Sequence, residues 1–528
     1  MTALLLAVYA LWFAVASPIG EFPLDDDWAY AYSVRHLLDT GTLKLSNWTS
    51  ATVVFQIYLA SAVAWLSGGF SFTALRLTTL GVSLAGCVAG YDLFRQLRLE
   101  RSAAALGTLA IAANPLFIYL SYTFMSDIFY FSLMLLSLGL YTRGIRSGRN
   151  AMLLAGSVAA ALAYLSRQLG VVLPVAAALA LLLKERRFRW RALLWIGLIP
   201  ALVVTSHVIW LRFIHGVPWA LKVFSFQASL DALLKPTAPL EWLHRLLLAM
   251  LYLGIFSLPV LVAGRLRPHR SRDELVRRGA LFGVWLLVLG VCVGWLVVMN
   301  GRQLPYLANV INRQGLGMTP LQKVPITPDW VFWLVTAAAP FAGALQGALW
   351  TEALLTVARR RAASGVTLIL ASVLMALMVG TFVFLWDEYL LVFVPASLYL
   401  ALRSRRISGP GWVAAVALIT AMMGYGLVET GELFAWSTAR WTAARRLVAQ
   451  GVAPGQIDGG YEWLRWYMFE ENLVLYVTGP KPPPPVQPYP YIVTFKPTAG
   501  YTIVEEVAYQ TPLLGHDGLI YVLRRASP

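Results

Sequence analysis

The chain has 528 residues, 59% hydrophobic and 13% charged. A soluble protein of this size would need a charged surface about twice as rich, so an ordinary soluble fold is excluded. The net charge of +16 would suggest nucleic acid if the basic residues formed a patch, but they do not.

Apolar runs recur from end to end, the longer ones of roughly 18 to 25 residues, enough to cross about 30 Å of hydrocarbon. The first, Leu4–Ala16, resembles a signal-peptide core but has no basic flank. It is read as a retained span. The others are Phe72–Phe94, Ala103–Leu120, Ile128–Tyr141, Met152–Leu165, Leu169–Leu183, Ala192–Phe213, Leu246–Val262, Ala280–Met299, Trp330–Ala358, Val366–Phe384, Tyr389–Leu402 and Trp412–Val428, thirteen spans in all. Cys87 and Cys292 both lie inside apolar runs, which suggests neither a disulfide framework nor a metal cluster.

Arginines and lysines fall in alternate short loops: Arg95 to Arg101, Arg143 to Arg149, Lys184 to Arg191, Arg265 to Arg278, Arg359 to Arg361 and Arg403 to Arg406. This is the positive-inside pattern, so the positive charge reports topology, with anionic lipid a secondary partner and no nucleic acid. The pattern also settles Thr52–Leu66. If that segment crossed, every later basic loop would face outward. It is about 15 residues long, is interrupted by Gln56 and is followed by Gly68-Gly69. With Tyr30–Leu38 it is expected to lie along the outer surface.

The outer regions are then Ser17–Ser71, Ser121–Asp127, Ser166–Gln168, Ile214–Arg245, Asn300–Asp329, the Asp387-Glu388 turn and everything after about Glu429. Residues 1–430 form the membrane domain and 431–528 an outer α/β domain, with strand-like runs at Tyr491–Phe495, Tyr501–Tyr509 and Gly518–Arg524 and a stiff connector at Pro482–Pro485.

The chemistry gathers on that outer face. Asp25, Asp26 and Asp27 follow the first span; Asp127 closes the second outer loop; Arg167 and Gln168 occupy a short turn; Asp387 and Glu388 precede the twelfth span. Any one of these acids alone reads as a helix cap, and Arg167 alone as a side chain snorkelling to headgroups. Acids and a cation recurring at one depth on one side read as a site. His215, Arg302, Arg313 and Lys323 are read first as solvated loop charges, with phosphate or sugar contact as the alternative. Asn47-Trp48-Thr49 fits an N-glycosylation sequon. Trp28, Trp48, Trp330 and Trp386 are read as interfacial belt residues, with sugar stacking the second reading for Trp28. No P-loop and no zinc-hydrolase His-Glu spacing is present.

These motifs carry a resemblance. Asp26-Asp27-Trp28-Ala29-Tyr30, followed by Arg35-His36-Leu37-Leu38-Asp39-Thr40-Gly41, resembles the opening of GT-C glycosyltransferases that use polyprenyl-phosphate sugars, among them the protein O-mannosyltransferase-like and aminoarabinose-transferase families. The loop ending at Asp127 resembles their second acidic motif, and Ser166-Arg167-Gln168-Leu169-Gly170 with Pro174 resembles their short basic turn. Gly459-Gly460-Tyr461-Glu462-Trp463 is similar to tail segments of bacterial members. One departure is the acid Glu388, ahead of Tyr389, where a phosphate-pairing arginine is expected.

The resemblance implies an all-α, GT-C-like polytopic protein in the plasma (inner) membrane, with its site and C-terminal domain extracytoplasmic. It implies inverting transfer of a monosaccharide from polyprenyl phosphate to a lipid, glycan or protein hydroxyl. Asp26 is the expected base, because an adjacent carboxylate raises its pKa. Asp27 is expected to orient the acceptor, Asp127 to act as a second acid, and Arg167 with Gln168 to grip the donor phosphate. Tyr30, Trp28, Asp387, Glu388, Tyr389, His215, Arg302 and Arg313 are further candidate contacts. A carboxylate cluster suits Mg²⁺ or Mn²⁺ as well as a bare base, so the residues leave a metal open, with Asp26, Asp27 and Asp127 its ligands if one binds. The competing classes are a transporter or lipid flippase, which expects charges within spans and broken helices in two related halves, and a non-catalytic membrane scaffold.

Overall fold

The computed structural model describes residues 1–526 apart from 185–188, 225–230, 232–233, 236, 267–271, 302, 360–364, 383–384, 471–488 and 516. Pro482–Pro485 and Arg302 therefore lie outside the described residues. The chain is a mostly helical, polytopic membrane protein. Among the described residues, seven helices are long and apolar enough to cross a membrane, or eight if the bent pair Arg101–Ala112 and Pro115–Ser121 is one span. Shorter apolar helices accompany them at Thr2–Val15, Val54–Leu66, Asn150–Ser166, Gln168–Lys184 and Val366–Gly380.

Local chemistry sets the breaks that shape the site. The pair at 101–121 bends by 62° where Asn114 caps the new helix, its side chain accepting from the Leu116 amide at 2.9 Å. Pro115 follows at the first helical position, where its missing N–H costs nothing. The helix Asn150–Ser166 ends because Arg167 takes an extended conformation, φ −147° and ψ 143°. A tight 3-10 turn, Gln168–Val171, then reverses the chain. Gly170 is required there, since a Cβ would meet the Tyr164 amide nitrogen at 2.2 Å.

The first loop folds into its own small core. Trp28, Tyr30 and Val34 from the helix Asp27–Thr40 pack with Ile57 and Ala60 from Val54–Leu66, and with Phe124, Phe129 and Phe469. The start of Val54–Leu66 lies at the acid-bearing end of the bundle. Its start is tied to the Arg167 turn through Val53 N donating to Ser166 O at 3.3 Å. Its end is joined by a five-residue link, 67–71, to the helix Phe72–Gln96, whose first amide donates to Glu21 at 2.9 Å. One face, Gln56, Ile57, Ala60, Ser61 and Ala64, is buried, while Tyr58, Trp65 and Leu66 are exposed.

The last long helix, Gly409–Ala449, runs 41 residues without a break. It passes straight through residue 430, so the domain division drawn there crosses a continuous element. Beyond it stands a small mixed sheet. Ile457–Asp458 pairs in parallel with Tyr491–Thr494, which lies antiparallel to Asp517–Arg525, itself antiparallel to Tyr501–Gln510. The sheet seats on the helix through Trp436 against Phe495, ring centroids 5.3 Å apart. Its contacts with Glu432 complete that seat.

Candidate active site

The three consecutive aspartates have three different environments. Asp25 is buried with φ at +56°, and the Tyr119 hydroxyl donates to its Oδ2 at 3.4 Å. Burial and then the adjacent Asp26 push its pKa well above the ordinary carboxylate range. Asp27 is fully buried, and both its oxygens are engaged: Oδ1 accepts from Leu24 N at 2.7 Å and Oδ2 from Phe124 N at 3.1 Å. Burial raises its pKa to about 7, against the pull of Arg76. Asp27 thus clamps the first acidic loop to the second. Asp26 is half-buried; its Oδ1 accepts from the Tyr461 hydroxyl, and the indoles of Trp48 and Trp28 lie against it. Burial raises its pKa, while Tyr461 and Arg465 oppose the rise.

Asp127 opens the helix Ser126–Ser147, where a carboxylate complements the helix dipole. Its Oδ1 is ion-paired with Arg167, whose side chain is 15% exposed. Its Oδ2 is buried with no hydrogen-bond partner among the described residues. The Arg167 guanidinium lies over the Tyr389 ring, 5.3 Å from its centroid. Tyr30 is within electrostatic reach of Asp26, Arg167 and Asp127, and Tyr389 of Arg167, Glu388, Asp127 and Asp26. Asp26, Tyr30, Asp127, Arg167, Glu388 and Tyr389 therefore gather at one place.

Several expected contacts, Glu388 among them, have partners of their own. Gln168 Nε2 donates to Ser50 O at 2.8 Å, stitching the turn to the first loop. Both oxygens of Asp387 accept backbone amides, from Val310 at 2.9 Å and Ile311 at 2.6 Å. Glu388 accepts from Asn309 Nδ2 at 3.0 Å. His215 is no solvated charge: its Nε2 accepts from Leu45 N at 2.9 Å, which holds the first loop. Arg313 pairs with Asp329 at the surface, 2.8 Å.

Three expectations are corrected by burial. Trp28, 1% exposed, is packed edge-on against Phe469, centroids 5.0 Å apart. It belongs to the core of the first loop, not to a lipid belt. Trp48 is likewise covered by Trp219, Phe469 and Arg465. Lys323 is not solvated: its Nζ pairs with Glu432 at 3.2 Å, the two side chains 2% and 1% exposed. The sequon asparagine is also engaged, Asn47 N and Nδ2 donating to the two oxygens of Glu470 at 2.9 and 3.0 Å.

The cation site expected of Asp26, Asp27 and Asp127 does not fit this geometry. Asp27 spends both oxygens on amides and Asp127 spends one on Arg167. Among the described residues no group of three or more His, Cys, Asp or Glu is placed to hold a metal ion.

Two contributors carry little signal in the sequence. Arg76 is fully buried near the start of Phe72–Gln96. It donates to Pro18 O, Gly20 O and Phe22 O and lies over the rings of Phe22 and Phe434, so it braces the segment leading to Asp25. Tyr461 begins the helix Tyr461–Met468 far along the chain. Its neighbour Glu462 is fixed by Arg440 at 2.6 Å in a buried pair. The sequence signal for this helix was the Gly-Gly-Tyr-Glu-Trp motif.

The class that these features define is a membrane glycosyltransferase that draws on a polyprenyl-phosphate sugar. Residues 53–210 match the family described as dolichyl-phosphate-mannose-protein mannosyltransferase. The matched stretch holds Asp127 and the Arg167 turn and begins after Asp26. No curated protein matches the chain in sequence. Among solved structures it is similar to ArnT from Cupriavidus metallidurans in the apo state, at 15% identity and TM-score 0.42 over 100% of this chain and 98% of that one. The same enzyme bound to undecaprenyl phosphate gives 15% and 0.42 over 99% and 98%. The archaeal oligosaccharyltransferase AglB from Archaeoglobus fulgidus, in complex with an inhibitory peptide and a dolichol-phosphate, gives 12% and 0.40 over 84% and 58%.

Proposed function

We propose that the protein transfers a monosaccharide from polyprenyl phosphate to an acceptor hydroxyl on the extracytoplasmic face, with inversion, and that Asp26 is the general base. The acceptor O–H gives its proton to Asp26 as its oxygen bonds to the anomeric carbon. The bond from that carbon to the phosphate oxygen breaks on the opposite face, and the electron pair leaves with the polyprenyl phosphate. Arg167 meets the charge growing on that phosphate. One of its N–H groups is held by Asp127, so the guanidinium is oriented before substrate arrives, and preorganised charge is where much of a rate enhancement resides. Asp27 acts as the clamp that brings the two acidic loops together, and Asp127 positions Arg167.

The observation that carries this reading is the meeting of Asp26, Asp127 and Arg167 at one end of the bundle, with Asp26 more than 100 residues from the other two in sequence. An apolar groove of 640 Å³ supports it. The groove is lined by Val54, Tyr58, Leu165, Leu202, Val203 and Trp210, and Leu165 is two residues from Arg167. Such a surface suits an isoprenoid chain whose phosphate lies at the Arg167 turn. In this reading thirteen segments cross: the eight longer candidates, the short helices Thr2–Val15, Asn150–Ser166, Gln168–Lys184 and Val366–Gly380, and the segment Asp387–Ser404, while the short helix Val54–Leu66 is assigned to the surface.

The test is transfer by purified protein in liposomes, given a panel of polyprenyl-phosphate monosaccharides labelled in the sugar and native membrane extract as acceptor. Label moving to the acceptor supports the enzyme. Label accumulating intact inside vesicles would make the protein a transporter, and neither outcome would leave a scaffold.

A further inference from the structure

We infer that Tyr461, supplied by the C-terminal domain, is a positioning residue that holds the Asp26 carboxylate in its working orientation, so that the acid site is complete only when the tail helix is docked. This rests on the reading of Asp26 as the base.

Several contacts fix the helix Tyr461–Met468 over the first loop. Arg440 grips Glu462. Trp466 stacks on Phe70 at 5.9 Å and meets Phe72 edge-on at 5.0 Å. Arg465 lies over Trp48, 5.1 Å from its centroid. Glu470, just past the helix, accepts from Ser46 Oγ at 2.6 Å and from Asn47. These contacts leave the Tyr461 hydroxyl donating to Asp26 Oδ1. A phenol that only filled space in this core would not need its oxygen on the one half-buried acid of the trio.

A hydrogen bond to a carboxylate fixes its rotation and favours the charged form, which a base must keep. The other titratable or charged groups around Asp26 are Asp25 and Tyr30 from its own segment, Asp127 and Arg167 from the two short outer turns, Glu388 and Tyr389 from before the helix Val394–Ser404, and Arg465 from the tail helix. Asp25 and burial work against ionisation; Tyr461 and Arg465 work for it.

The test reads Asp26 directly and needs no identified acceptor. A water-soluble carbodiimide reacts with protonated carboxyls, so the pH midpoint of Asp26 labelling, followed by peptide mass spectrometry on the full-length protein, reports its ionisation. Tyr461→Phe should raise that midpoint by roughly one pH unit, the size of one charge-assisted hydrogen bond. Trp466→Phe, a conservative change at a docking contact of the same helix that keeps an aromatic ring against Phe70 and Phe72 and the Tyr461 hydroxyl in place, should leave it unmoved. Where Tyr461→Phe does not fold, 3-fluorotyrosine at position 461 serves, its more acidic phenol lowering the midpoint. An unmoved midpoint with either residue at 461, or equal movement in Trp466→Phe, overturns the proposal. The underlying reading fails separately: turnover retained in Asp26→Asn removes the base, whatever the labelling shows.

Discussion

Two pairs of neighbouring acids, Asp26-Asp27 in the first loop and Asp387-Glu388 before the helix Val394–Ser404, divide their labour in the same way. In each pair one aspartate is fully buried and gives both oxygens to backbone amides, Asp27 to Leu24 and Phe124, Asp387 to Val310 and Ile311. Each ties a distant loop down. The partner acid faces side chains instead, Asp26 the Tyr461 hydroxyl and Glu388 the Asn309 amide. The pairs differ in exposure: Asp26 is half-buried, while Glu388 is only 6% exposed. A carboxylate surrounded by backbone donors is architecture. One left with an open face at the same depth is available for chemistry.

The largest effects should come from breaking the clamps. Asp27→Ala and Asp387→Ala each strand two buried amides, at about 3 kcal/mol or more of stability. Thermal unfolding in detergent should show a clear drop for both, and a normal Tm for either would remove its clamp role. Next comes Arg167→Lys, which keeps the charge but loses the fork. Transfer should fall by about 10- to 100-fold, the worth of one charge-assisted hydrogen bond. A loss confined to stability would make Arg167 only the partner of Asp127.

The pH dependence sharpens the same contrast more gently. Burial raises the pKa of Asp26, and a base works only when deprotonated. Transfer should therefore decline, as pH falls, along a limb that lies above the ordinary carboxylate range; a limb at or below that range contradicts the assignment. The smallest effect is expected at Arg313, whose pairing with the 76%-exposed Asp329 is a surface contact. Arg313→Ala should change stability by no more than about 0.5 kcal/mol and leave transfer intact.

Much of this was legible in the chain. Apolar runs located the helices, alternation located the tail strands at 491, 501 and 517, and the acids with Arg167 stood out as charges bordering apolar runs. The rest depended on partners that a sequence does not display. Backbone amides decide that Asp27 and Asp387 are clamps, and amides are the same at every residue. Tyr461 lies 435 positions from Asp26, and nothing local links them. The last helix looked finished at Val428 because Glu429, Glu432 and Arg440 interrupt its apolar run. They are buried, Glu432 against Lys323 and Thr511, Arg440 against Glu462. Polar residues with buried partners read in sequence like residues in water. Lys323 was misread for that same reason.

The central claim is that Asp26, not its neighbour, takes the acceptor proton, and Asp26→Asn compared with wild type in the labelled-donor assay tests it most directly. The account predicts that transfer disappears while Tm and donor binding stay near wild type. Sustained transfer by a normally folded Asp26→Asn protein would contradict it.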